Sequence, residues 1–99
     1  GKEVTVDDAY EAAKICVLNC LSIVKSLAES LDNVEKIVKV VGFVNSADGF
    51  NQQPKVINGA SELLGQIFGD AGAHARSAVG VSQLPMDATC EVELIVKLK

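Results

Sequence analysis

Val34-Glu35-Lys36-Ile37-Val38-Lys39-Val40-Val41-Gly42-Phe43-Val44-Asn45 is the stretch on which the fold turns. β-Branched residues dominate it, and such side chains suit a pleated, half-buried surface. Alternation puts Val38, Val40, Gly42 and Val44 on one face and Ile37, Lys39, Val41 and Phe43 on the other, because successive strand side chains point to opposite sides. Both faces are largely apolar, so the segment is expected as an interior strand.

Upstream, Thr5-Val6-Asp7-Asp8 reads as a helix start, with Thr5 as the cap and two acids in the first turn where the helix dipole favours negative charge. Ala9, Ala13, Cys16, Cys20, Ile23 or Val24, Leu27 and Leu31 then recur at three- and four-residue spacing. This predicts one amphipathic helix ending at Asp32-Asn33, of about 26 residues and roughly 40 Å at ~1.5 Å per residue. Downstream, Ser46-Ala47-Asp48-Gly49 is a turn. Pro54 fits the first turn of a second helix carrying Val56, Ile57, Ala60, Leu63, Leu64, Ile67 and Phe68, which Gly69-Asp70-Ala71-Gly72 stops. Ala75 to Val81 is a strand, Gln83 to Asp87 a connection containing Pro85, and Cys90 to Leu98 a strand in which Cys90, Val92, Leu94, Val96 and Leu98 share one face.

The order helix, strand, helix, strand, strand predicts an α+β two-layer sandwich, two helices packed on a β-sheet, in one domain over residues 1–99. Three strands are narrow for two helices, and the first helix is expected to overhang. The chain's 99 residues are 48% hydrophobic and 22% charged, which suits a globular domain and not a disordered one. Tyr10, Phe43, Phe50 and Phe68 are the only aromatics, so the core must be Val, Ile, Leu and Ala. A net charge of −4 without a basic cluster makes a nucleic-acid surface an unfavoured expectation. Nothing approaches the ~18 apolar residues of a membrane span. Gly1-Lys2-Glu3-Val4-Thr5 lacks the apolar region of a signal peptide.

Three cysteines are an odd number. Cys16 and Cys20 lie four apart on one helix face, a parallel arrangement unsuited to a disulfide. Zinc would need two further ligands, and only Cys90 and His74 remain. The expectation is three buried, reduced thiols in a cytoplasmic protein, with no metal and no cofactor.

Arg76 is the only arginine among nine basic residues, and it stands in His74-Ala75-Arg76-Ser77 beside the only histidine. A guanidinium is a rigid planar fork that can grip a carboxylate through two hydrogen bonds, which an ammonium cannot copy. The last two strands read as a hairpin, which would set Arg76 against Glu91 and Glu93 on a neighbouring strand. Arg76 then has two readings, a ligand clamp or a structural ion pair with Glu91 or Glu93. His74 is expected as a residue that leads into a strand.

Four blocks resemble the reactive intermediate deaminase family, also called YjgF-like or L-PSP endoribonuclease. They are Leu31 to Val40, Gly42-Phe43-Val44-Asn45, Val56-Ile57-Asn58-Gly59-Ala60-Ser61, and His74 to Val81 with Leu84-Pro85 and Cys90-Glu91-Val92-Glu93. The last is the most specific: Ala-Arg-Ser, strand, Leu-Pro, strand, Glu-x-Glu. The resemblance implies a chorismate-mutase-like fold with a mixed sheet, and a homotrimer with clefts between subunits. It also implies hydrolysis of enamines and imines of 2-imino acids to 2-oxo acids and ammonia. By the same resemblance Arg76 grips the substrate carboxylate, Glu91 positions or activates water, and Asn58 is a polar site position near the start of the second helix. Ala78 stands where many members carry a cysteine, so no thiol nucleophile is implied. The chain resembles the C-terminal two-thirds of a member, without the initial strands. Alternative functions are a binding trimer for small carboxylates without turnover, and the family's endoribonuclease or translation-inhibitor activity.

Overall fold

A computed structural model describes residues 4–99; Gly1 to Glu3, which open the segment read as lacking a signal peptide, lie outside them. Helix α1 runs Val6–Ala28, strand β1 Val34–Asn45, helix α2 Gln53–Phe68, strand β2 Ala75–Val81 and strand β3 Cys90–Leu98. Short 3₁₀ turns occupy Leu31–Asn33, Gly69–Gly72 and Pro85–Asp87. Two helices cover one face of a mixed three-stranded sheet, as the sequence predicts.

The sheet order is β2-β1-β3, so β1 is the interior strand. It pairs parallel to β2 and antiparallel to β3. The expected hairpin of the last two strands does not form, because β1 lies between them. The reason is topological: a strand that follows β1 through a helix returns parallel to it, and the two apolar faces of β1 reserve the centre. The link from β2 to β3 therefore crosses the end of β1. The Asn45 backbone N–H donates to Thr89 O at 2.9 Å and its side-chain amide to Ala88 O at 3.1 Å.

Val34, Ile37, Val40 and Val44 are buried on the helix-facing side of β1. The strict alternation expected from the sequence fails twice: a first register shift against β3, between Val34 and Lys36, leaves Glu35 unpaired. A second register shift between Ile37 and Lys39 makes Val38 the extra residue of a bulge. Ile37 thus faces the core with Val40, and Val38 is 40% exposed.

Thr5 caps α1 as expected, its side chain accepting from the Asp8 N–H at 3.0 Å. The helix ends earlier than Asp32-Asn33. Glu29 takes a left-handed conformation at φ 71°, and the Asn33 side-chain amide donates to the Ala28 carbonyl at 2.6 Å, satisfying an end-of-helix acceptor. The buried stripe is Ala9, Ala13, Val17, Leu21 and Ala28. Cys16 and Cys20 flank it half-buried, while Ile23 and Leu27 are 63% and 80% exposed. The periodic pattern merged two helix sides, one against α2 and one over β3. Ile15 and Leu18 also remain exposed, so α1 carries uncovered apolar surface. α1 and α2 approach closely at Gly59, where a Cβ would lie 2.1 Å from the Tyr10 carbonyl oxygen. The Tyr10 hydroxyl donates to Glu62 across the same helix pair.

Candidate functional site

Asn58 and Ser61 lie three apart in α2 and so share one helix side. Arg76 is the second residue of β2 and pairs with Val40, whose side chain is buried under the helices. Residues opposite one another in register point to the same side of a sheet, so Arg76 rises toward α2. Its Nη1 donates to Asn58 Oδ1 at 2.7 Å and to Ser61 Oγ at 3.4 Å. Ser61 Oγ is 2.9 Å from His74 Nε2, and His74 Nδ1 is 2.6 Å from the Gly72 carbonyl. Asn58, Arg76, Ser61 and His74 thus form one polar cluster between α2 and the edge strand β2, with His74 fixed by the 3₁₀ turn before that strand. Asn58, Ser61 and His74 are half-buried and Arg76 is exposed.

The ion pairs among the described residues are Lys14–Glu11 and Lys97–Glu35. Arg76 therefore has no carboxylate partner there, and the structural ion pair with Glu91 or Glu93 is not formed. Asn58 holds one guanidinium nitrogen by a neutral acceptor, leaving the positive charge uncompensated.

Glu91 does not join this cluster. It pairs with Phe43, one position out of phase with Val40 and Val44, and so projects from the open face of the sheet. Glu93 pairs with Val41 and shares that face. Within one chain, the sheet separates both acids from Arg76, and the approach of Arg76 and Glu91 expected from a hairpin is not made. Beside them the open face carries Lys39 and Ser77 and an apolar group: Val79 and Ile95 are 44% and 59% exposed, and Val41 and Phe43 are half-buried.

The cysteines gather at α1 and β3, across the domain from His74. Cys16 Sγ lies 3.8 Å from Cys90 Sγ, and Cys20 Sγ donates to Val92 O at 3.6 Å. All three are free; Cys90 is buried, whereas Cys16 and Cys20 are only half-buried, less enclosed than expected. Hydrogen bonding to Cys90 lowers the Cys16 pKa to about 7, and the same bond together with burial pushes Cys90 up. Among the described residues no three His, Cys, Asp or Glu side chains converge as metal ligands would, and no helix is long and apolar enough to cross a membrane.

The profile described as "YjgF/chorismate_mutase-like, putative endoribonuclease" matches residues 1–98. The chain belongs to this family. It is 43% identical over 99 residues to Protein TCP17 of Trypanosoma cruzi. The crystal structure of the protein Atu1372 from Agrobacterium tumefaciens, described as of unknown function, superposes with a TM-score of 0.95 at 41% identity. That of a "putative endoribonuclease" from Shewanella oneidensis does so with 0.95 at 32%. Each comparison covers 99% of this chain, but the chain spans only 62% of TCP17 and 63% and 65% of the two crystallised proteins. The family and its chorismate-mutase-like fold are as the sequence resemblance implied.

Of the three site residues expected from the sequence, Asn58 and Arg76 meet directly and Glu91 stands apart. Ser61 was missed. Its signal was available: it lies one helical turn beyond Asn58, on the same side. His74, expected only to lead into a strand, does so and also bonds Ser61.

Proposed function

We propose that the protein hydrolyses small 2-imino acids and their enamine tautomers to 2-oxo acids and ammonia, with Arg76 holding the substrate carboxylate. The observation that carries this reading is a lone guanidinium, set in place by Asn58 Oδ1 at 2.7 Å, with no acidic partner among the described residues. A bidentate carboxylate would dock on its free edge at about 2.7–2.9 Å. Asn58 then orients the fork and leaves its charge to the ligand. The imine carbon next to that carboxylate is already electrophilic, so orientation and one directed water suffice for chemistry.

Homotrimeric assembly belongs to the same proposal. The open sheet face presents Val41, Phe43, Val79 and Ile95 with no layer over them, and burial of such a face between subunits would remove it from water. Glu91 projects from that face, so its suggested part in handling water requires the cluster of a second subunit.

The test is ammonia release from a freshly generated 2-imino acid, which separates an enzyme from a carboxylate-binding trimer without turnover. The endoribonuclease reading draws on the family description and on the Shewanella protein's name. The net charge of −4 speaks against it. RNA cleavage that survives loss of Arg76 would belong to a different site.

A further inference from the structure

The Ser61–His74 pair has a defined polarity. The Gly72 carbonyl can only accept, so His74 Nδ1 carries the hydrogen and donates to it across 2.6 Å. In the neutral ring Nε2 is then an acceptor, and the Ser61 hydroxyl donates to it across 2.9 Å. Ser61 Oγ keeps its lone pairs for other donors, and one is the Arg76 guanidinium at 3.4 Å. A hydroxyl backed by a fixed imidazole and polarised by a cation is a group through which a proton can leave a bound water. It stands beside the group proposed to hold the substrate, whereas Glu91 of the same chain lies across the sheet.

We propose that Ser61, backed by His74, is the proton-transfer group at the Arg76 site and directs the attacking water. This rests on the imine hydrolase reading given above. With the carboxylate on Arg76, the adjoining iminium carbon comes within reach of a water bound to Ser61 Oγ. That water's oxygen bonds to the carbon while the C=N π pair moves to nitrogen. One water proton passes to Ser61 Oγ as the Ser61 proton passes to Nε2. The product is a neutral carbinolamine and a His74 imidazolium. The imidazolium returns its proton along the same path to the amino nitrogen. The C–N bond then breaks, the hydroxyl proton is taken back by the pair as the carbonyl forms, and ammonia leaves with that proton as ammonium. Iminium and water become 2-oxo acid and ammonium, with no oxidant or metal required. Ser61 touches the reacting water; His74 acts through Ser61 and is a positioning and proton-holding residue.

Ser61→Ala, His74→Asn, His74→Ala, Arg76→Lys and Glu91→Gln are compared with the unaltered protein by ammonia release from 2-iminobutyrate generated in the assay. His74→Asn keeps a donor for Gly72 O and removes Nε2, so the local backbone retains its anchor. General-base loss typically costs about 10²–10⁴-fold. Ser61→Ala and His74→Asn are expected to lose kcat by roughly 100-fold or more while KM stays within about threefold. Added imidazole is expected to restore part of kcat in His74→Ala, which a purely structural histidine would not allow. Arg76→Lys is expected to raise KM. If Ser61→Ala and His74→Asn turn over within a few-fold of the unaltered protein while Glu91→Gln is inactive, the pair is overturned and the carboxylate clamp stands. No ammonia release by the unaltered protein overturns both.

Discussion

Gly59 is where the packing of the helices and the geometry of the site can be tested by one methyl group. A Cβ at Gly59 would meet the Tyr10 carbonyl oxygen at 2.1 Å, its carbon at 3.0 Å and the Tyr10 Cα at 3.3 Å, all backbone atoms of α1. Backbone inside a helix has no rotamer by which to yield, so Gly59→Ala must part the helices. Ordinary contact begins near ~3.5 Å, a separation of roughly 1.4 Å. Overpacking of this kind costs about 1–3 kcal/mol, against which alanine returns about 1 kcal/mol of helix propensity. The net expectation is a loss of up to about 2 kcal/mol, or a fall in Tm of up to roughly 15 °C for a domain of this size. Gly65 is the internal control. It lies in the same helix with nothing within 4 Å of its Cβ position, so Gly65→Ala is expected to gain about 0.5–1 kcal/mol. Circular-dichroism melts at equal subunit concentration measure all three proteins. Asn58 neighbours Gly59 in sequence, so Gly59→Ala is also expected to weaken the Asn58–Arg76 contact and raise KM. A Gly59→Ala protein that melts at or above the unaltered one would refute the close helix approach and the argument built on it.

The remaining predictions concern assembly, the thiols and Asn58. Multi-angle light scattering is expected to give three subunits; a stable monomer would leave the open sheet face without its proposed cover. Cys16 is lowered to about 7 by its bond to Cys90, while Cys90 is raised by that bond and by burial. Between pH 7 and about 8.5 the unfolded chain holds more protons than the folded pair, so stability rises with pH. Above about pH 9 the unfolded chain holds fewer protons than the folded pair, in which Cys90 stays protonated, so stability falls. Melting temperatures across pH 6.5–10 are expected to show this maximum, and Cys16→Ala to flatten it. Asn58→Ala removes the acceptor on Arg76 Nη1 and is expected to raise KM several-fold with kcat little changed; an unaltered KM would deny Asn58 its orienting part.

Much of the fold is legible in the sequence because its signals are local. The two apolar faces of Val34–Asn45 announce an interior strand, Thr5 and Pro54 mark helix starts, and the alternation from Cys90 fixes which side of β3 is buried. What escaped is set by contacts distant in sequence. The order β2-β1-β3 depends on which side of β1 each later strand takes. The turn from Gln83 to Asp87 could have served a hairpin or a crossover. The bulge at Val38 depends on the register with β3, and the end of α1 on an asparagine reaching back from position 33. In the site, Arg76 stood out through its scarcity and Asn58 through the resemblance. Ser61 shares a helix side with Asn58, a weak signal by itself, because a serine there is ordinary until His74 and Arg76 are brought to it from beyond the helix.

Arg76→Lys tests the central claim most directly, with ammonia release from a freshly generated 2-imino acid and thermal melting recorded on the same preparation. Lysine keeps the charge and loses the fork, so kcat/KM is expected to fall by about 2 kcal/mol or more, roughly thirtyfold, while Tm stays within a few degrees. Turnover like that of the unaltered protein would eliminate the carboxylate clamp, and a loss of activity that only follows a fall in Tm would make Arg76 a structural residue.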